Sequence, residues 1–255
     1  MTRIRSLSVV VYPLLGSALL VLAWWAGVRV FRPQTIVLPS PGGVLDAYGQ
    51  KTAYLWQMAW VSTWEILLGF AIATVGGMVI GLVLFTSRMV DQTFSPLLVA
   101  VNAVPKIALA PVMMVWLGLT YQARLAMVVL LCFFPIVLGM TAGLRSTPAE
   151  LAELARAIRA SRWQTFVKIR LPGALPQLFT GLKVAMPLAA VGSTIGELIG
   201  GDSGLGYVIS AASGQTDMEL MFAALILLAL VSVALYLLVQ AIEWLLLPWV
   251  RGVTA

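Results

Sequence analysis

Few side chains in this 255-residue sequence could make or break bonds. It has no histidine and a single cysteine, Cys132, set inside an apolar run. The commonest metal ligand, the usual proton shuttle and any disulfide are thereby removed. Zinc chemistry and Ser–His catalysis have no residues to work with, so neither a metal site nor a catalytic centre is expected. None of the four lysines follows a glycine, so the G-x-x-x-x-G-K-[ST] loop that cradles nucleotide phosphates is missing. Gly204 and Gly206 form a G-x-G pair in a glycine-rich stretch, 200–206, between apolar runs, a poor setting for a nucleotide. What remains is Glu65, Asn102, Lys106 and Glu197 within apolar runs, and one long charged segment, 145–171. Polar groups at membrane depth are default candidates for a translocation path. Lys106, between Pro105 and Pro111, either meets a cavity opened by a broken helix or snorkels to an interface. Glu197 either faces headgroups or helps line an outer mouth, and Glu65 is read as structural.

These groups need a bilayer to position them. Apolar residues make up 61% of the chain and charged residues 10%, against about 25% charged in soluble domains; the mean hydropathy is +0.99. The net charge of +6 does not point to nucleic acid, because the cations sit in short segments between apolar runs. An all-α membrane protein of about six transmembrane helices is expected, as one domain over 1–255. The spans fall near 6–28, 58–85, 94–117, 125–144, 182–199 and 220–250, since roughly 20 apolar residues cross the hydrocarbon. The first is read as a retained helix, being longer than a signal core and followed by no A-x-A site. Arg124 closes a tight loop before the fourth. One side of the bundle receives Arg3, Arg5, Arg88, Arg145, Arg251 and the five basic residues of 156–170; the other receives Arg29, Arg32, Lys51 and Arg124. Ten against four places both termini and the charged segment in the cytoplasm. Gly192, Gly196 and Gly200, and likewise Gly77 and Gly81, are spaced for close helix packing, with pore lining or a dimer contact as the sharper alternative for the first set.

The charged segment reads as two short amphipathic helices joined by a bend. Thr147-Pro148-Ala149-Glu150 has the form of a capping box with proline at the first helical position. Leu151, Leu154, Ala155 and Ile158 then make one apolar stripe, and Glu153 can pair with Arg156. A second box, Ser161 to Gln164, starts a helix with Trp163, Phe166 and Val167 on one side, which is expected to stop at Leu171-Pro172-Gly173. By spacing alone the pair could lie on anionic lipid, pack on its own helix ends, or dock a partner, helix in groove.

Glu153-Leu154-Ala155, Arg159 and Ile169-Arg170-Leu171-Pro172 resemble the EAA loop of bacterial ABC importer permeases. Leu38-Pro39-Ser40-Pro41, 105–111 and Ser203-Gly204-Leu205-Gly206-Tyr207 are similar to the nitrate/sulfonate/taurine branch of that family. The resemblance departs at Leu154, where the family has alanine, and at Arg159, where it has glycine. A left-handed residue costs a non-glycine side chain about 1–2 kcal/mol, so the bend is expected to rely on the Ser161 cap instead.

The resemblance implies a type I importer fold in which 145–173 is the coupling loop. Glu153, Leu154, Ala155, Arg159, Ser161, Trp163, Ile169, Leu171 and Pro172 would meet the ATPase, and Lys106, Glu197 and Asn102 are candidates for the path. It further implies a permease homodimer in the inner membrane, two cytoplasmic ATPases that use ATP and Mg, and an external solute-binding protein. This chain itself would bind no cofactor and hydrolyse nothing. Nitrate, a sulfonate or taurine is the implied cargo, with a vitamin precursor such as a pyrimidine as the alternative. An ion-gradient transporter or channel is the rival reading, but no repeat relates the two halves.

Overall fold

The computed structural model describes residues 2–250. Arg251, counted above on the inner side, lies outside the described residues, as do Met1 and 252–255. Among the described residues every regular element is helical. Helix α1 (Thr2–Phe31) is followed by α2 (Pro41–Gln50), α3 (Thr52–Thr86) and α4 (Arg88–Ala103). A short 3-10 turn, Lys106–Leu109, leads to α5 (Ala110–Leu117) and α6 (Tyr121–Arg145). Then come α7 (Ala149–Ala157), α8 (Arg162–Thr165), a π turn (Phe166–Arg170), α9 (Leu171–Gly200), α10 (Leu205–Gly214) and α11 (Met218–Leu246).

Four stretches are long and apolar enough to cross a bilayer: α3, α6, Arg162–Gly200 and α11. A fifth is the pair formed by α4 and Lys106–Leu117, bent by 84°. Pro105 breaks that pair, whereas Pro111 sits in the first turn of α5, where its missing N–H has no partner to lose. The first expected span, 6–28, falls within α1 (Thr2–Phe31). The connector after it carries a helix that the sequence reading missed. Ser40 caps α2 by accepting from the Gly43 N–H at 3.0 Å, and Pro41 follows it, the usual order of a helix start. The sixth span stops at Leu246 rather than near 250, because Leu247 precedes Pro248 and takes an extended φ of −119°.

Helix α6 lies between α3 and α9, and glycines set the spacing on both sides. A Cβ on Gly77 or Gly81 would sit 2.8 Å from Ile136 or Met140 of α6. On the α9 side the backbones themselves touch: a Cβ on Gly139 would lie 2.8 Å from the Gln177 carbonyl, and one on Gly192 would lie 2.8 Å from Val128 Cα. Without a hydrophobic force between helices in lipid, such close approach supplies the dispersion energy of the bundle. The glycine series of α9 therefore packs within the chain. Ile66, Ile136, Met140, Leu178 and Met186 fill the seams, while Trp56, Trp60 and Trp64 line the exposed side of α3. Two ion pairs tie the helices near one end: Asp91–Arg145 at 2.7 Å between α4 and α6, and Lys183–Glu243 at 2.8 Å between α9 and α11.

Gly192→Val should destabilise the purified protein by about 1–3 kcal/mol, because the obstructing atoms are α6 backbone. Gly76→Ala, with only Phe133 Cε2 at 4.0 Å, should hold or raise the melting temperature. Equal melting temperatures for the two variants would show that the α6–α9 seam has slack.

Candidate functional site

The loop after α6 was expected to start a helix with a capping box at Thr147, and it does not. Helix α7 begins at Ala149 with Pro148 in the cap position, and the Thr147 hydroxyl is buried without a partner. Proline offers no side-chain acceptor, so the start has moved one residue past the threonine. The predicted stripe is present but mostly uncovered. Ala155 is buried, whereas Leu151, Leu154 and Ile158 are 42%, 56% and 68% exposed. Glu153 meets Arg156 at 3.8 Å on the outer side, both of them largely exposed.

The bend after α7 does not avoid the left-handed conformation. Arg159 takes φ +54° and closes a Schellman turn: its N–H donates to the Arg156 carbonyl at 3.0 Å, and the Ala160 N–H donates to that of Ala155 at 2.9 Å. Arginine therefore occupies the geometry that glycine would adopt more easily. The Ser161 cap acts in series with it. Ser161 Oγ accepts from the Gln164 N–H at 3.1 Å, and Gln164 Oε1 accepts from the Ser161 N–H at 2.9 Å, a complete capping box.

Nor does the second short helix stop at Leu171-Pro172-Gly173. It runs through the π turn, where the Leu171 N–H donates to the Phe166 carbonyl, straight into α9. A wider turn lets the chain absorb Pro172, whose ring would otherwise crowd the carbonyl four residues back. Arg162–Gly200 is thus one helical rod of 39 residues. Ile169, Leu171 and Pro172 lie within it, half-buried, while Trp163 at its tip is 71% exposed and lies 5.9 Å from the Phe166 ring.

At the other end of the rod α9 enters a buried polar cluster. Glu197 and Glu65 are 1% and 0% exposed and share the hydroxyl of Ser193, at 2.9 Å and 3.2 Å. Arg124 Nε donates to Glu65 Oε1 at 2.6 Å and its fork reaches the exposed Asp202 at 3.4 Å. Among the described residues Glu197 forms no ion pair. It accepts from Ser62 Oγ at 2.7 Å and from the Gly206 N–H at 2.6 Å, at the N-terminus of α10, whose dipole favours an anion. Gly204, at φ +97°, leaves the space that the Glu197 carboxylate fills. Ser203 and then Arg124 hold the Asp202 carboxyl below its ordinary range. Neither glutamate faces headgroups, and Arg124 is not a loop cation but a buried partner in the first turn of α6. Sequence reasoning missed this set, although Ser193 at i−4 from Glu197 and the following Gly204-x-Gly206 were its signals.

Lys106 and Asn102 form a separate pair. Lys106 Nζ donates to Asn102 Oδ1 at 2.6 Å and to its carbonyl at 3.1 Å, closing the broken end of α4. The partners of Glu197 (Ser62, Ser193 and Gly206) come from α3, α9 and α10, so the candidate path residues fall in two groups.

The described residues thus form a helical bundle in which one rod joins an uncovered short-helix loop to a packed polar end. The chain belongs to the binding-protein-dependent transport system inner membrane component family, whose model matches residues 67–252; it is an ABC importer permease. It is 35% identical to a riboflavin transport system permease protein of Chloroflexus aurantiacus, over 97% of this chain and 94% of that one. It is 33% identical to a formylaminopyrimidine transport permease protein of Halalkalibacterium halodurans, over 93% and 95%. Permeases named for aliphatic sulfonates, taurine and nitrate match at 32%, 27% and 26%, so the branch resemblance holds. Among solved structures, a chain of the MetNI methionine ABC transporter in inward-facing form superposes with a TM-score of 0.56 at 25% identity, covering 75% of this chain and 94% of that one.

Arg124→Gln should cost about 3 kcal/mol or more, since it strands the buried Glu65 carboxylate. Adding Glu65→Gln should recover a large part of that loss in denaturant unfolding of the detergent-solubilised protein. Strictly additive losses would mean that the pair carries no coupling.

Proposed function

We propose that this permease is worked from its loop by separate ATP-hydrolysing subunits. The observation that carries the reading is the uncovered apolar stripe of α7 and α8, seated on a rod that reaches the opposite end of the bundle. Glu153, Leu154, Arg159, Ser161 and Trp163 form the gripped surface, buried Ala155 seats that surface on the bundle, and Ile169, Leu171 and Pro172 join it to the span. A soluble partner accepts such a helix in a groove, and the exposed leucines supply the anchors. ATP and Mg belong to that partner. Closure of two ATPases draws the loops of a permease homodimer together, and each rod tilts as a body, switching the accessible side.

In this reading the loop and both termini face the cytoplasm of a bacterial inner membrane, as the basic-residue asymmetry supports. The polar cluster then lies at the outer end, where Glu197 holds the N-terminus of α10 against α3 and α9. An external solute-binding protein delivers cargo there. Lys106 and Asn102, at the break in α4, offer a cation and an amide to the path, and Glu197 closes it from the outer side. For the cargo, identities of 35% and 33% to permeases named for riboflavin and formylaminopyrimidine favour a vitamin or vitamin-precursor heterocycle as the first solute to test, with taurine and sulfonates next.

Leu154→Asp should leave the melting temperature within about 1 kcal/mol equivalent of the parent, because the side chain is exposed. The same change should abolish co-purification of the ATPase and ATP-driven uptake in vesicles. Unchanged uptake would remove the loop from the mechanism.

A further inference from the structure

Between the loop and the end of α3 lies a cavity of about 970 Å³. Its apolar wall is Leu82 and Phe85 of α3 with Phe166 and Trp163 of the rod. Its polar lining includes Arg156, Arg162 and Arg170, with no carboxylate among the lining residues. Arg170 lies over the Phe85 ring at 5.0 Å, and its Nε is buried with no hydrogen-bond acceptor. Arg162 makes no ion pair among the described residues, and the one pair of Arg156, to Glu153, is long and solvated. Three guanidiniums thus meet at one cavity with fewer anions than they can serve. A buried guanidinium N–H left without an acceptor is an unmet demand, and the ligand that answers a planar fork best is a phosphate or carboxylate.

Position selects between a soluble anion and a lipid. Thr86, the last residue of α3, is part of the lining, so the cavity sits where an apolar span ends. Exposed Trp163 beside arginines is the usual composition of that level, and the aliphatic and aromatic wall suits the glycerol and first methylenes of an acyl chain. We propose that this cavity binds the phosphate headgroup of an anionic phospholipid of the inner leaflet, with Arg162 and Arg170 as its principal ligands. The proposal rests on the cytoplasmic orientation of the loop given above. Such a lipid bridges α3 to the coupling loop, so its occupancy stiffens the joint through which the ATPases pull.

The test uses the assembled transporter, permease with its ATPase, in neutral detergent, with bound lipid read by native mass spectrometry. Phosphatidylglycerol should be retained about fivefold more by the parent than by the Arg162→Gln/Arg170→Gln double variant, as expected for loss of charge-assisted bonds. Phosphatidylcholine should not be retained, and millimolar inorganic phosphate should not displace the lipid. Arg162→Gln alone, at an exposed position, should fall between the two and keeps the test open if the double variant fails to fold. Equal retention by parent and variants, or displacement by inorganic phosphate, would overturn the lipid site. So would retention only after the ATPase is stripped away, since a segment of the ATPase would then be the occupant. The ATPase band in the same spectra reports on the loop separately: variants that lose lipid but keep the ATPase leave the docking reading intact.

Discussion

A backbone buried in lipid must satisfy its own hydrogen bonds, and that requirement carries the α8 end of the charged loop into α9 as a continuous helix. A loop ending at Pro172 would leave the first turn of α9 with free N–H groups near the hydrocarbon, where water is scarce. The π turn at Phe166–Arg170 resolves the conflict. It widens the helix enough to pass the proline and keeps the ladder intact on both sides. In the proposed mechanism the consequence is mechanical: a displacement applied at Trp163 reaches Glu197 along one unbroken run of helix, which accommodates Pro176 and Pro187 as well as Pro172. The proposed conversion of distant hydrolysis into motion at the opposite face needs such a member, because packed interiors shift as bodies rather than deform continuously.

In the proposed mechanism, the far end gives that motion discrete positions. Two carboxylates and one guanidinium are buried together, and the second carboxylate is held by hydroxyls and the start of a helix rather than by a cation. Arg124 belongs to α6, Glu65 and Ser62 to α3, Ser193 and Glu197 to α9, and Gly206 to α10. Four helices therefore meet on one polar node, and moving α9 must break its bonds or carry its neighbours. Such a node adds little net stability against an apolar replacement but penalises every arrangement that leaves one member unpaired. It favours discrete states over a continuum, which is what alternating access requires.

The sequence carried the class of fold plainly, because apolar runs of span length have one solvent that accepts them. It carried the capping box at Ser161, whose four residues are local, and the glycine spacings, whose partners turn out to be side chains of α6 for Gly77 and Gly81, α6 backbone for Gly192 and Gly196, and Met114 and Leu119 for Gly200. It misled where a local signal competed with a longer constraint. Pro172 reads as a stop, but the membrane demands continuity. Thr147 reads as a cap, but Pro148 occupies that position first. Arg159 departs from the family glycine, yet the two Schellman hydrogen bonds hold it in the conformation that glycine would choose. The polar node was hidden for another reason: its members are 59 and 128 residues apart in the pairs Glu65–Arg124 and Glu65–Ser193, and nothing local joins them.

The central claim is that the loop and the fifth span move as one body. Spin labels at Val167 and Leu198, in a Cys132→Ala background, lie on either side of Pro172 and should be about 45 Å apart at 1.5 Å per residue. Their separation should be measured by pulsed electron resonance in the assembled transporter, with and without ATP. The account predicts a single narrow distance, unchanged between the two states. A separation that shortens or broadens markedly on adding ATP would place a hinge among Pro172, Pro176 and Pro187, and the rod would not be the transmitting element.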